Sequence, residues 1–215
     1  MATITQYWWI IFITCFTVML LATLWMTNLA KHFFVEKDGK RSFNIFDLEF
    51  PATEMQLDKL MYYSTPDARK QLRKHLLVDF IFMPAAYIAI ALLCYKAAIK
   101  MEFVGKYTFL ALAVLQILPW LFDILENGYL LNKLSSAKKP GSKDSSASFK
   151  TFQFLVKAKF AIALTASVCA VFGLFYFWIM GAFQKESLIY LAVLVIEIAV
   201  FLWLNARKDK QVALA

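Results

Sequence analysis

The apolar residues of this chain fall in runs of about twenty, separated by short charged stretches, and that spacing constrains the fold more than any other feature. A hydrocarbon core of ~30 Å takes about 20 helical residues at a rise of 1.5 Å each. Five segments meet that length: Tyr7 to Ala30, Leu76 to Tyr95, Tyr107 to Leu131, Phe152 to Met180 and Leu188 to Leu204. Strands of a membrane barrel would alternate apolar and polar residues over about ten positions, and these runs do not alternate. The pattern predicts an all-α polytopic transmembrane helical bundle of five spans, with a small ordered cytoplasmic segment between spans one and two. Composition agrees, since 61% of the 215 residues are hydrophobic and 18% charged, against about half and a quarter in globular domains.

The first run is read as a retained span rather than a signal peptide. The residues before it, MATITQ, carry no Lys or Arg, and the run is longer and more aromatic than a signal core. Cys15, Cys94 and Cys169 all lie in predicted spans and form no CxxC pair; they read as small packing residues rather than as a disulfide framework.

Five spans put the termini on opposite faces. One face then holds four of the 23 Lys and Arg residues (Lys96, Lys100, Lys106 and Lys185), and the other holds the remaining 19. Basic residues in short loops mark the cytoplasmic side, so the expected topology is N-terminus outside and C-terminus cytoplasmic, in a bacterial inner membrane. The net charge of +8 then lies mainly where anionic headgroups attract it. No base-reading element accompanies that charge, so no nucleic-acid partner is expected.

Residues 31–75 are the one sizeable region outside the spans, expected to be cytoplasmic or interfacial. Asp38-Gly39 reads as a tight turn, and Phe46-Asp47-Leu48-Glu49-Phe50 alternates as a half-buried strand would. Thr53 with Gln56 fits a capping box, followed by a Leu57, Leu60, Met61 stripe suited to the bilayer interface. Thr65-Pro66 reads as N-cap and first residue of a helix that runs into span two. Residues 135–148 offer nothing to bury and read as a flexible loop. The segment Gly181 to Ser187 is short enough to force spans four and five into an antiparallel hairpin.

Ionisable residues inside spans are costly and usually face the bundle interior. In span three, Gln116, Pro119, Asp123, Glu126 and Asn127 share one stripe, with Pro119 placed to kink the helix ahead of Asp123. In span four, Gln153, Lys157, Ala161, Thr165, Cys169 and Gly173 recur at intervals of four, which predicts an ion pair from Lys157 to Glu126 or Asp123 and leaves Lys159 to reach the headgroups. Span two presents His75, Asp79, Met83 and Tyr87 on one face beside Pro84. Span five holds Glu197 near mid-bilayer, the most isolated charge in the chain. The expected ligand or proton site is a cytoplasm-facing polar cluster of Asp79, Tyr87, Asp123, Glu126, Asn127 and Lys157, with Glu197 and His75 secondary. The competing reading is that these groups bond only to one another and fix helix register.

Much catalytic chemistry is missing. His32 and His75 are the only histidines and both lie at or outside the membrane edge, so neither an HExxH zinc site nor haem ligands inside the spans can be drawn. No phosphate-binding Gly-rich loop and no GxSxG elbow occurs. Asp123 and Glu126, three apart, are a weak Mg²⁺ signal, and His75 with Asp79 a weak acid–base pair. No metal and no cofactor is expected.

The elements DLEF followed by AT, then VDFIFMPAAY and FDILENGYLL, together resemble a family of small, functionally uncharacterised bacterial multi-span membrane proteins. The resemblance covers roughly residues 45 to 132. It implies the same topology and draws attention to Asp79, Tyr87, Asp123, Glu126 and Asn127, without a mechanism. The sequence thus leads to a non-enzymatic binding or transport-type membrane protein whose partners are the bilayer, its anionic headgroups and a small polar ligand or another membrane protein. The alternatives are an accessory subunit of a membrane complex and a lipid-processing enzyme.

Overall fold

The computed structural model describes residues 2–36, 41–136, 146–182 and 187–213. It is an all-α bundle: α1 (Ala2–Ala30), α2 (Ile45–Glu49), α3 (Glu54–Tyr63), α4 (Pro66–Ala98), α5 (Phe103–Leu115), α6 (Ile117–Ser136), α7 (Ser146–Ile179) and α8 (Ser187–Ala213). Two short strands, β1 (Phe34–Val35) and β2 (Arg41–Ser42), pair antiparallel with Phe34 opposite Ser42. The Asp38-Gly39 dipeptide and most of the 135–148 loop lie outside the described residues; within them, 135–136 close α6 and 146–148 open α7.

Four helices are long and apolar enough to cross a membrane: Tyr7–Ala30, Pro66–Ala98, Phe103–Ser136 and Ala147–Ile179. Their apolar surface faces outward, since even in α4 only 33% of the most apolar stretch is buried. A chain folding in water would hide that surface; one folding in lipid need not. The fifth expected span is the shorter apolar helix Ile189–Asn205, which at 1.5 Å per residue covers ~26 Å and sits at the lower limit for crossing.

Helix α4 is central and packs against α1, α5, α6 and α7, while α8 rests chiefly on α1. The third expected span is broken at Gln116 into α5 and α6. Pro119 is the cause: it has no N–H to give the Leu115 carbonyl, and its ring crowds that carbonyl. Helix α7 ends where Gly181 takes φ +70°. There the Ala182 N–H bonds to the Phe177 carbonyl and the Gly181 N–H to that of Trp178, the paired closure that a left-handed residue after a helix permits.

Residues 31–36 and 41–65 fold into a cap over one end of the bundle. The DLEF segment is a helix and not a strand. Asn44 accepts from the Asp47 N–H at 3.0 Å, and the Asp47 carboxylate accepts from the Asn44 N–H at 2.8 Å, so a reciprocal cap overrides the alternation. Thr53 caps α3 through the Gln56 N–H, whereas the Gln56 side chain bonds one residue earlier, at Ala52. Thr65 caps α4 through the Ala68 N–H, with Pro66 as its first residue. The apolar stripe of α3 does not lie on the bilayer: Leu57 and Met61 are buried with Phe33, Leu48, Leu72, Leu130 and Phe152 in one core. Lys133 of α6 fastens the cap from outside, 2.9 Å from Glu54 and 2.6 Å from Asp58.

Candidate functional site

Beneath the cap, α2, α4, α6 and α7 bring their polar side chains to one place. On α6, Asp123, Glu126 and Asn127 fall at intervals of three and four and so share a face. All three are buried, Glu126 to 1% exposure. On α7 the residue that meets them is Lys159, 5% exposed. Its Nζ lies 2.5 Å from Asp123 Oδ1, 2.5 Å from Glu126 Oε2 and 3.8 Å from Glu49 Oε1, and 4.9 Å from the centre of the Phe160 ring.

Lys157, the expected partner, is exposed. The reason is geometric: intervals of four advance 400° per step, so a row of them winds 40° around the helix each time. From Gln153 to Gly173 that drift reaches about 200°. The buried residues Phe152, Val156, Lys159, Ala166 and Ala170 keep closer to the 3.6-residue period. Close approach of α7 to α4 accordingly uses Ala166 and Ala170 against Cys94, not the Ala161–Thr165 row.

Two further hydrogen bonds join α4 to α6. Tyr87 donates its hydroxyl to Asp123 Oδ2. Asn127 donates its amide to Asp79 Oδ2 at 2.7 Å. The expected residues Asp79, Tyr87, Asp123, Glu126 and Asn127 are therefore together, Lys159 stands where Lys157 was expected, and Glu49 of the cap joins them. Reading DLEF as a strand hid Glu49, although the Asn44–Asp47 spacing is a helix-start signal that places Leu48 and Glu49 in the first turns.

His75 is elsewhere. Its Nδ1 is 3.2 Å from the Met26 carbonyl and its ring meets Phe33 edge-on, so it joins α1 to the cap and makes no acid–base pair with Asp79. Glu197 is separate from the cluster. It accepts a hydrogen bond of 2.9 Å from Thr17 on α1, while its Oε2 is buried without a hydrogen-bond partner among the described residues.

The electrostatics of the cluster are unbalanced. Glu49, Asp123 and Glu126 lie within 4 Å of one ammonium and Asp79 joins them through Asn127, which leaves a formal charge of −3 if every group is ionised. The Glu126 contact is an ion pair without hydrogen-bond alignment, and neither of its buried oxygens has a hydrogen-bond partner among the described residues. Unpaired carboxylates in so dry a place are expensive. Glu49, outside the membrane-spanning helices, registers this: burial raises its carboxyl to about 7, with Lys159 opposing and Asp79 and Asp123 adding to the rise.

No family model, curated protein or solved structure matches the chain.

Proposed function

We propose that this chain is a non-enzymatic membrane protein of binding or transport type, whose working site is the carboxyl cluster around Lys159 and whose exchangeable ligand is a proton. The observation that carries the reading is the mismatch of four carboxyl groups to one ammonium, with a carboxylate oxygen of Glu126 left unpartnered in the core. A register pin needs equal and opposite charges, whereas a surplus of buried carboxyls calls for positive charge that comes and goes. A proton fits better than a metal: among the described residues no group of three or more His, Cys, Asp or Glu side chains is arranged to hold one. Glu49, with a proton affinity near neutrality, connects the cluster to the cap.

The reading goes with a cytoplasmic cap and the N-terminus outside, as in a bacterial inner membrane. Arg69, Lys70, Arg73 and Lys74 on the first turns of α4 would then meet anionic headgroups, consistent with the positive-inside rule. One observation favours an accessory-subunit reading as well: Phe46, Phe50 and Met55 are exposed on the cap. Co-purification of a second membrane protein that is lost in Phe46→Ser/Met55→Ser would support it.

Infrared difference spectroscopy of the reconstituted protein, titrated through neutral pH, tests the main reading. The expected result is a protonated-carboxyl band that fades with rising pH and is absent in Glu126→Gln or Glu49→Gln. Identical spectra for wild type and both variants would reduce the cluster to a structural pin.

A further inference from the structure

Helix α2 turns a second apolar face away from the core of the cap. Leu48 points into that core and is fully buried, whereas Phe46 and Phe50, four apart and so on one side of the helix, are 59% and 46% exposed. Their rings stack with centres 6.5 Å apart. A lone exposed Phe is ordinary on any surface, but this pair continues into a third ring. The Phe50 ring is 5.3 Å from that of Phe160 on α7, which is itself exposed. Two polar contacts fasten α2 and the residues after it to the same stretch of α7. The Gln153 side chain donates to the Pro51 carbonyl at 3.0 Å, and Glu49 lies 3.8 Å from Lys159.

That stretch of α7 belongs to a helix long and apolar enough to cross a membrane, Ala147–Ile179. Trp178, exposed near the far end of the helix, suits the membrane–water interface, where tryptophan is enriched. Phe160 is 18 residues from it, or ~27 Å at 1.5 Å per residue, close to the ~30 Å thickness of the hydrocarbon core. Phe160 therefore falls at the opposite boundary, and α2 packs beside it at the same depth. Lys157, exposed and most of a turn farther out, is placed to carry its ammonium into the headgroups.

We infer that the Phe46–Phe50 face of α2 is seated in the bilayer, at the boundary of headgroups and acyl chains, so that the partner of this face of the cap is lipid. The rings of α2 run without a break into the lipid-facing surface of α7, at the depth where that surface begins. The exposed side of α3 differs, since it carries Gln56 and Lys59, which suit water. Phe50 adjoins Glu49 in the chain and Phe160 adjoins Lys159, so a bilayer that holds the two rings together also holds Glu49 beside Lys159. Seating needs only the membrane-length helices and holds whether or not the carboxyl cluster takes up a proton.

The test uses the wild-type chain in nanodiscs with two carbene-generating photolabels, one dissolved in the acyl phase and one in water, and maps the labelled residues by mass spectrometry. Phe172, exposed on α7 between Phe160 and Trp178, reports lipid, while the exposed Gln56 and Lys59 report water. Phe46 and Phe50 should show a ratio of acyl-phase to aqueous label nearer to that of Phe172. A ratio nearer to that of Gln56 and Lys59 puts the face in water and overturns the proposal. Protection of Phe46 and Phe50 from both labels, while Phe172 is labelled, means that protein covers the face and overturns it equally.

Discussion

Lys159 of α7 is held between Asp123 and Glu126 of α6, its Nζ 2.5 Å from a carboxylate oxygen of each. Two acids three residues apart on one helix thus share one ammonium from the next. Helices α6 and α7 cannot slide or rotate past each other without parting these charges where water does not reach them.

Removing the lysine leaves buried carboxylates without their cation, a change that costs about 3–5 kcal/mol in comparable settings. Lys159→Met should therefore destabilise the protein strongly in micelles or nanodiscs. Lys157→Met, on the exposed residue two positions away, should stay within about 0.5 kcal/mol of wild type. Denaturant or thermal unfolding of the pair distinguishes the two lysines directly.

Glu49 makes stability depend on pH. Its carboxyl rises from an ordinary 4.5 to about 7 on folding, so between those values the folded state holds a proton that the unfolded state has lost. Its contribution is fully present below 4.5, falls as pH rises towards 7 and is level above that. The slope approaches ~1.4 kcal/mol per pH unit for one proton. Unfolding measured across this window should show the decline in wild type and a flatter profile in Glu49→Gln.

Tyr87 and Asp123 should be energetically coupled, because the tyrosine hydroxyl is donated to that carboxylate across the α4–α6 interface. In a double-mutant cycle of Tyr87→Phe and Asp123→Asn, contacting residues of this kind give an interaction energy of about 0.5–3 kcal/mol. Pairing Tyr87→Phe with the distant Glu197→Gln should give additive effects within roughly 0.5 kcal/mol.

The cap should loosen when Lys133 is lost, since that one ammonium holds both Glu54 and Asp58 of α3. Lys133→Met should make residues 41–65 more susceptible to protease while the membrane helices stay intact. An Asn44→Ala substitution removes the reciprocal cap of α2 and should cost about 1 kcal/mol. Limited proteolysis with mass mapping reads both.

Much of this arrangement was legible in the chain. Runs of about twenty apolar residues admit few alternatives to helices of membrane length, because backbone groups in lipid must be satisfied within the segment. Thr65-Pro66 announced the start of α4, and Pro119 announced the break ahead of Asp123, since a missing N–H and a fixed φ act locally whatever surrounds them. The face shared by Asp123, Glu126 and Asn127 followed from the helical period alone.

Tertiary packing decided which residues from other elements completed that face. Lys157 and Lys159 are the same residue type and both lie near the α7 entry, and only the azimuth at which α7 docks on α4 and α6 turns Lys159 inward and Lys157 out. Glu49 joined the cluster because the Asn44 cap made DLEF a helix and the buried Leu48 seated that helix over α7. Local sequence sets each helix and its apolar surface, but in lipid that surface has no single place to hide. The rotation of one helix against another is left to buried polar and small residues, whose partners lie far along the chain.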